Sequence, residues 1–188
     1  MLMRRTTLAH VDTVLACDPA IERENGGREV EAARAALLAL PADAPRTDRA
    51  LAEAGVKLAR EAMTAKLDAF RKSRDLSSIT VPADACRITI RPLTAEERLA
   101  VGEAGLEAAF AARGDDAAAG RAAAVRVARL EAQARVQAGV VRAVEGGVEV
   151  PGAELIESLP PALLFPAIIE LSGAIARLSE LDPLGKGR

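Results

Sequence analysis

The sequence predicts a mainly α-helical protein with a minor β element and a helical N-terminal arm. Half of its 188 residues are hydrophobic, yet aromatic residues make up 2%, all of them Phe. Much of the excess is alanine, the best helix former and a residue that buries little area. Apolar residues recur at spacings of three and four over long stretches, as one-sided helices require. One pentapeptide, Arg87-Ile88-Thr89-Ile90-Arg91, alternates with period two instead.

Residues 9–17 (AHVDTVLAC) suit either a short strand or a helical turn, closed by Asp18-Pro19. Gly26-Gly27 then breaks the chain as a helix-entry turn. From Arg28 to Leu40, Val30, Ala33, Leu37 and Leu40 mark a one-sided helix. Pro41 and Pro45 bracket a loop, and Thr47 stands where an N-cap belongs. The pattern from there to Arg74 predicts a helix about 40 Å long. Its main stripe is Leu51, Ala54, Leu58, Ala62 and Ala65, widened by Val56, Met63, Leu67 and Phe70.

Ser77-Ser78 and Pro82 read as a linker before the strand at 87–91. Ile88 and Ile90 face one side of it, with Arg87, Thr89 and Arg91 on the other. Thr94-Ala95-Glu96-Glu97 matches the capping box, in which side chain and amide are satisfied reciprocally. The helix that follows carries Leu99, Gly102, Leu106 and Phe110 on one face and ends near Gly114. A second helix runs from about Asp115 to Arg142. A hairpin near 141–150 turns at Gly146-Gly147, and a helical turn, GAELIESL, precedes Pro160-Pro161. The last helix carries Leu164, Ile168, Leu171, Ile175 and Leu178 in a narrow seam, and the tail from Leu184 is expected to be mobile. The organisation divides into a helical region, 1–78, and a strand–helix–helix–hairpin–helix assembly domain, 79–188.

The totals narrow the function. Lys and Arg number 25 against 27 Asp and Glu, a net charge of −2, so no global basic field attracts nucleic acid or anionic lipid. The N-terminus lacks the unbroken apolar core of a secretory signal, being interrupted by Asp12. The apolar segment 161–181 carries Glu170, Arg177 and Glu180, which favours a packing helix over a membrane span. A soluble, cytoplasmic protein is expected. Cys17 and Cys86 form no CxxC pair, which leaves buried thiols and a disulfide both open.

Chemistry-bearing constellations are sparse. The single His, His10, has Asp12 nearby but no nucleophile elbow, so no catalytic residues are assigned. A zinc site would need Cys17, Cys86, His10 and a carboxylate to converge, and Asp18, Glu22 and Glu24 match no calcium loop. Gly26-Gly27 lacks the Lys-Ser/Thr of a phosphate loop. No metal and no cofactor is therefore expected. Arg71, Lys72 and Arg74 sit at a helix C-terminus, where cations complement the dipole. Without Trp or Tyr there is no stacking platform for single strands. What remains is helix–helix contact. The candidate partner-binding residues are Leu163, Leu164, Phe165, Ile168, Leu171, Ile175 and Leu178, with Leu163 to Phe165 readable either as an apolar wedge before Pro166 or as core.

The C-terminal half resembles a known family. "RPLTAEE" opening a helix, an Ala/Arg-rich helix, the "VEGGVEV" turn and "LPPALLFPAIIELSGAIARLSEL" look like tailed-phage tail assembly chaperones. The N-terminal "TVLACDPAIE" is similar to a Val-Leu-x-x-Asp opening seen in some of them. The resemblance covers roughly residues 79–182, and the helices at 28–74 look like an insertion. It implies a non-enzymatic protein of the bacterial host cytoplasm that coats the tape measure protein and prevents its aggregation during tail assembly. It transfers no catalytic residue. Rival readings are a head–tail connector or neck protein, and a DNA-associated regulator using the arginine-bearing helix. Self-association is compatible with each.

Overall fold

The computed structural model describes residues 10–111, 117–145 and 147–181. It is mainly α with a small sheet. The order is β1 (Val11–Val14), α1 (Pro19–Glu22), a π-helical turn (Arg23–Gly27), α2 (Arg28–Leu38), α3 (Arg46–Ser73) and a 3₁₀ turn (Leu76–Ser78). Then follow β2 (Arg87–Ile90), α4 (Ala95–Ala111), α5 (Ala117–Gly139), β3 (Val140–Glu145), β4 (Val148–Pro151), α6 (Gly152–Ser158) and α7 (Pro161–Leu181). The expected tail at 184–188, the helix end near Gly114 and Gly146 lie outside the described residues.

Two compact units divide the chain at Val14 and Cys86, where the sequence places a single cut at 78/79. One unit is Val14–Cys86; the other joins the residues before Val14 to those from Arg87 onward. The difference has a packing cause at each end. The strand segment before Val14 belongs to the sheet, whose order is β1-β2-β3-β4. Ile79 and Ala85, in the expected linker, bury their side chains in the core of the helical unit.

That core contains Val14, Ala16, Ile21, Leu67, Phe70, Ile79 and Ala85, with Met63, Leu76 and Val81 packed against it. Asp18 accepts the Ala20 amide at 2.8 Å, and Pro19 occupies the first helical position, so α1 starts where the strand was expected to close. Asn25 and Gly26 then leave helical geometry. Gly26 has φ +129°, and a Cβ there would stand 2.8 Å from Met63 Cβ. Only glycine combines that backbone with so close an approach of α3. Asn25 is buried and fully engaged: its Nδ2 donates to the Ile21 and Thr80 carbonyls, and its Oδ1 accepts the Thr80 amide, all at 2.8 Å.

On α2, Val30 is buried and Ala33, Leu37 and Leu40 are half-buried, which is the expected stripe. On α3 the expected order of the stripes is reversed. Ala52, Val56, Ala59, Met63, Leu67 and Phe70 form the packed face, while Leu51, Ala54, Leu58, Ala62 and Ala65 are exposed. The helix also begins two residues earlier than expected. The Pro45 carbonyl accepts the Asp48 and Arg49 amides, so Thr47 lies inside the helix and is not its cap. At its far end Arg74 adopts the left-handed conformation (φ 55°) with its guanidinium 5.4 Å from the Phe70 ring centroid.

In the other unit β2 pairs antiparallel with β3, and β3 with β4. Residue Glu145 opposes Val148, so the hairpin turns over two residues, with Gly147 at φ +84°. Val140, expected in the helix, begins β3, and residues 141 and 142, where the expected helix and hairpin overlap, belong to the strand. Opposite Thr89/Ile90 the ladder skips Val141, a bulge that leaves that side chain outside. Ile88 and Ile90 are buried and Arg87 is exposed, as the alternation requires, whereas Thr89, expected beside Arg87 on the outer face, is buried too. Across the sheet runs a polar ladder: Thr89 Oγ1 donates to Asp12 at 2.7 Å, Arg142 Nε donates to Thr89 at 3.5 Å, and Arg142 pairs with Glu149 at 3.5 Å. Gly152 starts α6 against β3, where a Cβ would meet the Val140 carbonyl oxygen at 2.2 Å.

The capping box forms. Thr94 Oγ1 accepts the Glu97 amide at 3.2 Å, and Glu97 accepts the Thr94 amide at 2.8 Å. Arg91 adds a two-pronged grip on the same carboxylate, at 2.8 and 2.5 Å, tying the end of the strand to the start of α4. The Arg91 fork, joined by the Thr94 amide and opposed by burial, holds the Glu97 carboxyl down to about 2 from its usual 4.5. The ionised form is the one favoured, so its stabilisation is present above about pH 4.5 and is lost as pH falls toward 2. Glu97→Gln is expected to cost about 1–2 kcal/mol at neutral pH, after allowing for solvent screening. It should also flatten the acid limb of a thermal-unfolding pH series. A variant with an acid limb as steep as that of the parent protein would show that the pair contributes nothing.

Candidate interaction surface

The seven sequence-predicted partner-binding residues all lie on α7, but they divide. Ile168, Leu171 and Ile175 are 1%, 1% and 0% exposed, so they serve the core and are not available to a partner. Leu163, Leu164 and Leu178 are half-buried, and Phe165 remains 53% exposed beside Ile169 at 49%. The helix runs unbroken through Pro166. The wedge and core readings of 163–165 are thus each met in part: the two leucines lean inward and the phenylalanine points out.

The packing that buries the seam comes from α5. Arg135 donates to Ser172 Oγ at 2.8 Å, and a Cβ on Gly139 would stand 2.7 Å from two carbon atoms of Ile175. At the C-terminal end, Ser179 Oγ accepts the Leu93 amide at 2.9 Å and donates to the Ile175 carbonyl at 2.7 Å. By length and composition Pro161–Glu180 could cross a membrane. Its buried side nevertheless carries Glu170, Ser172 and Ser179 among the aliphatic residues.

Near that end lies a cleft of about 210 Å³ lined by Leu93, Arg98, Val101, Arg135, Ala176, Ser179 and Glu180. Its polar groups are largely committed to the fold. Arg98 donates to the Ser179 carbonyl at 3.3 Å, Arg135 to Ser172, and the Ser179 hydroxyl already both donates and accepts. His10 is exposed, and among the described residues no three His, Cys, Asp or Glu side chains gather to hold a metal ion. Cys17 and Cys86 are buried thiols.

The arginines also fall into separate local settings. Arg71 pairs with Asp68 at 2.7 Å in the last turn of α3. Arg121, Arg126 and Arg129 are exposed on α5, Arg135 is bonded to α7, and Arg142 belongs to the sheet.

Three large exposed apolar side chains of this unit lie together on α4, while Val125 and Leu130 are exposed on α5. Leu99, Leu106 and Phe110 are 69%, 59% and 60% exposed. The buried positions of that helix are instead Val101, Gly105 and Ala108. At about 100° per residue, Leu99, Leu106 and Phe110 lie within about 40° of one another and roughly opposite the buried three. The sequence groups these residues correctly on one face, with Gly102, but does not say which way that face points. Small residues on the opposite face admit α5: a Cβ on Gly105 would run into the Glu131 side chain.

Comparison with known proteins finds no matching family model, no matching curated protein and no matching solved structure.

Proposed function

We propose that the protein is a non-enzymatic assembly chaperone of a tailed phage, which acts in the host cytoplasm by covering apolar helix faces of the tape measure protein until the tail tube forms. The observation that carries this reading is the outward face of α4, where Leu99, Leu106 and Phe110 stand exposed while smaller residues make the core contact. Exposed apolar ridges of this kind match the grooves and ridges through which helices are recognised. The motif resemblance over residues 79–182 is what suggests the tape measure protein as the partner. The exposed second stripe of α3 supports the same kind of role, since Leu51 and Leu58 are also turned outward.

Co-expression with the tape measure protein tests the reading. The tape measure protein should move from the pellet to the soluble fraction and co-purify with this chain. An unchanged pellet would reject the chaperone role. Mass spectrometry of purified virions separates it from a connector or neck protein: a chaperone should be absent from the mature particle.

A further inference from the structure

Resting on the partner-binding reading above, we propose that the outward face of α4 is the docking site for a basic amphipathic helix. Leu99, Leu106 and Phe110 form the apolar ridge, and Gly102 interrupts it. A Cβ on Gly102 would meet nothing within 4 Å, so the ridge has an open notch between Leu99 and Leu106. A large apolar side chain from an incoming helix can enter there, with its neighbours three or four residues away resting on either side.

The charge on the rim selects the partner. Glu96, Glu103 and Glu107 are all exposed. On a helix they lie about 40–80° round from Leu99, and so form a row along one edge of the ridge. Among the described residues none of these three carboxylates has an ion-pair partner. On the opposite edge, Arg98 is turned to the Ser179 carbonyl. A helix with apolar anchors at i, i+4 and i+7 and a row of Lys or Arg on one flank complements both features. The ridge from Leu99 to Phe110 is about 17 Å long, enough for roughly three turns of a partner. The apolar contacts supply most of the affinity, and the carboxylates supply orientation and choice of partner.

A fluorescently labelled Leu/Lys peptide of about 18 residues with one apolar stripe is the probe, and a Leu/Glu peptide of the same pattern is the control. The full-length protein should bind the first and not the second. Glu103→Lys/Glu107→Lys should weaken the Leu/Lys peptide by about tenfold or more and admit the Leu/Glu peptide. Leu106→Ser should weaken the Leu/Lys peptide, with thermal unfolding unchanged because the side chain is exposed. Equal binding of the Leu/Lys peptide by the parent and charge-reversed proteins would overturn the proposal. So would a concentration-dependent dimer, dissociated by Leu106→Ser, in a protein that binds neither peptide, because a second copy would then cover the face. The co-expression test keeps the two readings distinguishable. If the charge-reversed protein still solubilises the tape measure protein, the chaperone role stands and its site lies elsewhere. If the parent protein binds the peptide but solubilises nothing, the docking face stands and the tape measure protein is not its occupant.

Discussion

Leu171→Asp is expected to remove most of the folded population of the C-terminal unit. Leu171 is 1% exposed and sits between Ile168 and Ile175 on the face of α7 that packs on α5. A carboxylate there loses its water and finds no partner among the aliphatic neighbours, and the aspartate also leaves part of the leucine volume empty. The combined cost is of the order of 4–5 kcal/mol, comparable with the total stability of many domains. Soluble yield and the cooperative thermal transition should both collapse. Ile169→Asp, two residues before it and half exposed, is the matched control and should melt close to the parent protein. If the two variants behave alike, the assignment of inner and outer faces on α7 is wrong.

The same contrast shows what a helical sequence discloses about its own packing. Periodicity on α7 points to the correct inner face because its large aliphatic residues lie there. On α3 it names as the main stripe the one that is exposed, and on α4 it groups the exposed residues without saying which way they point. Each of those helices has two stripes, and the leucine-rich stripe is the exposed one. Close approach decides the inner stripe: Met63, Leu67 and Phe70 pack inward on α3, where Met63 lies against Gly26, and small residues face inward on α4, where Glu131 lies against Gly105. Those pairings join residues far apart in the chain, so neither helix carries a sign of them on its own.

Local chemistry is more legible. The Thr94–Glu97 capping box and the Gly146-Gly147 hairpin turn are decided within a few residues, and both the cap bonds and the two-residue register are present. Arg91, whose fork strengthens that cap, was read only as an outward strand residue. Its geometry depends on where Pro92 and Leu93 lead the chain. Spacing groups the exposed ridge on α4 correctly, whereas three of the seven residues it offers to a partner on α7, Ile168, Leu171 and Ile175, are taken by the core. A seam that looks suited to a partner is also suited to the rest of the same protein, and on α7 the protein itself fills it.

Asn25→Ala should produce the largest loss in the helical unit for a change of so few atoms. The Asn25 amide satisfies two carbonyls and one backbone N–H, and joins the kink between α1 and α2 to the segment at Thr80. Asn25 is 2% exposed, so water cannot readily replace those bonds. Alanine leaves the Thr80 N–H and two carbonyl acceptors to compete for whatever relaxation the backbone allows. At about 1–3 kcal/mol per orphaned group, partly relieved by that relaxation, the expected cost is roughly 3–5 kcal/mol. Asn25→Asp provides a sharper test of geometry. The introduced carboxyl can accept the Thr80 amide, but its second oxygen faces the Ile21 and Thr80 carbonyls. Only the protonated acid can donate there, so its pKa in the folded state is raised above the unfolded value. Stability of that variant should therefore be greatest at low pH and fall as pH rises through the raised pKa, opposite in sign to the Glu97 effect. Hydrogen exchange at the Thr80 amide provides the local readout: protection should drop sharply in Asn25→Ala and survive in Asn25→Asp under acidic conditions. Protection unchanged by alanine would show that Asn25 does not hold the 79–81 segment, and that apolar burial of Ile79 alone fixes it.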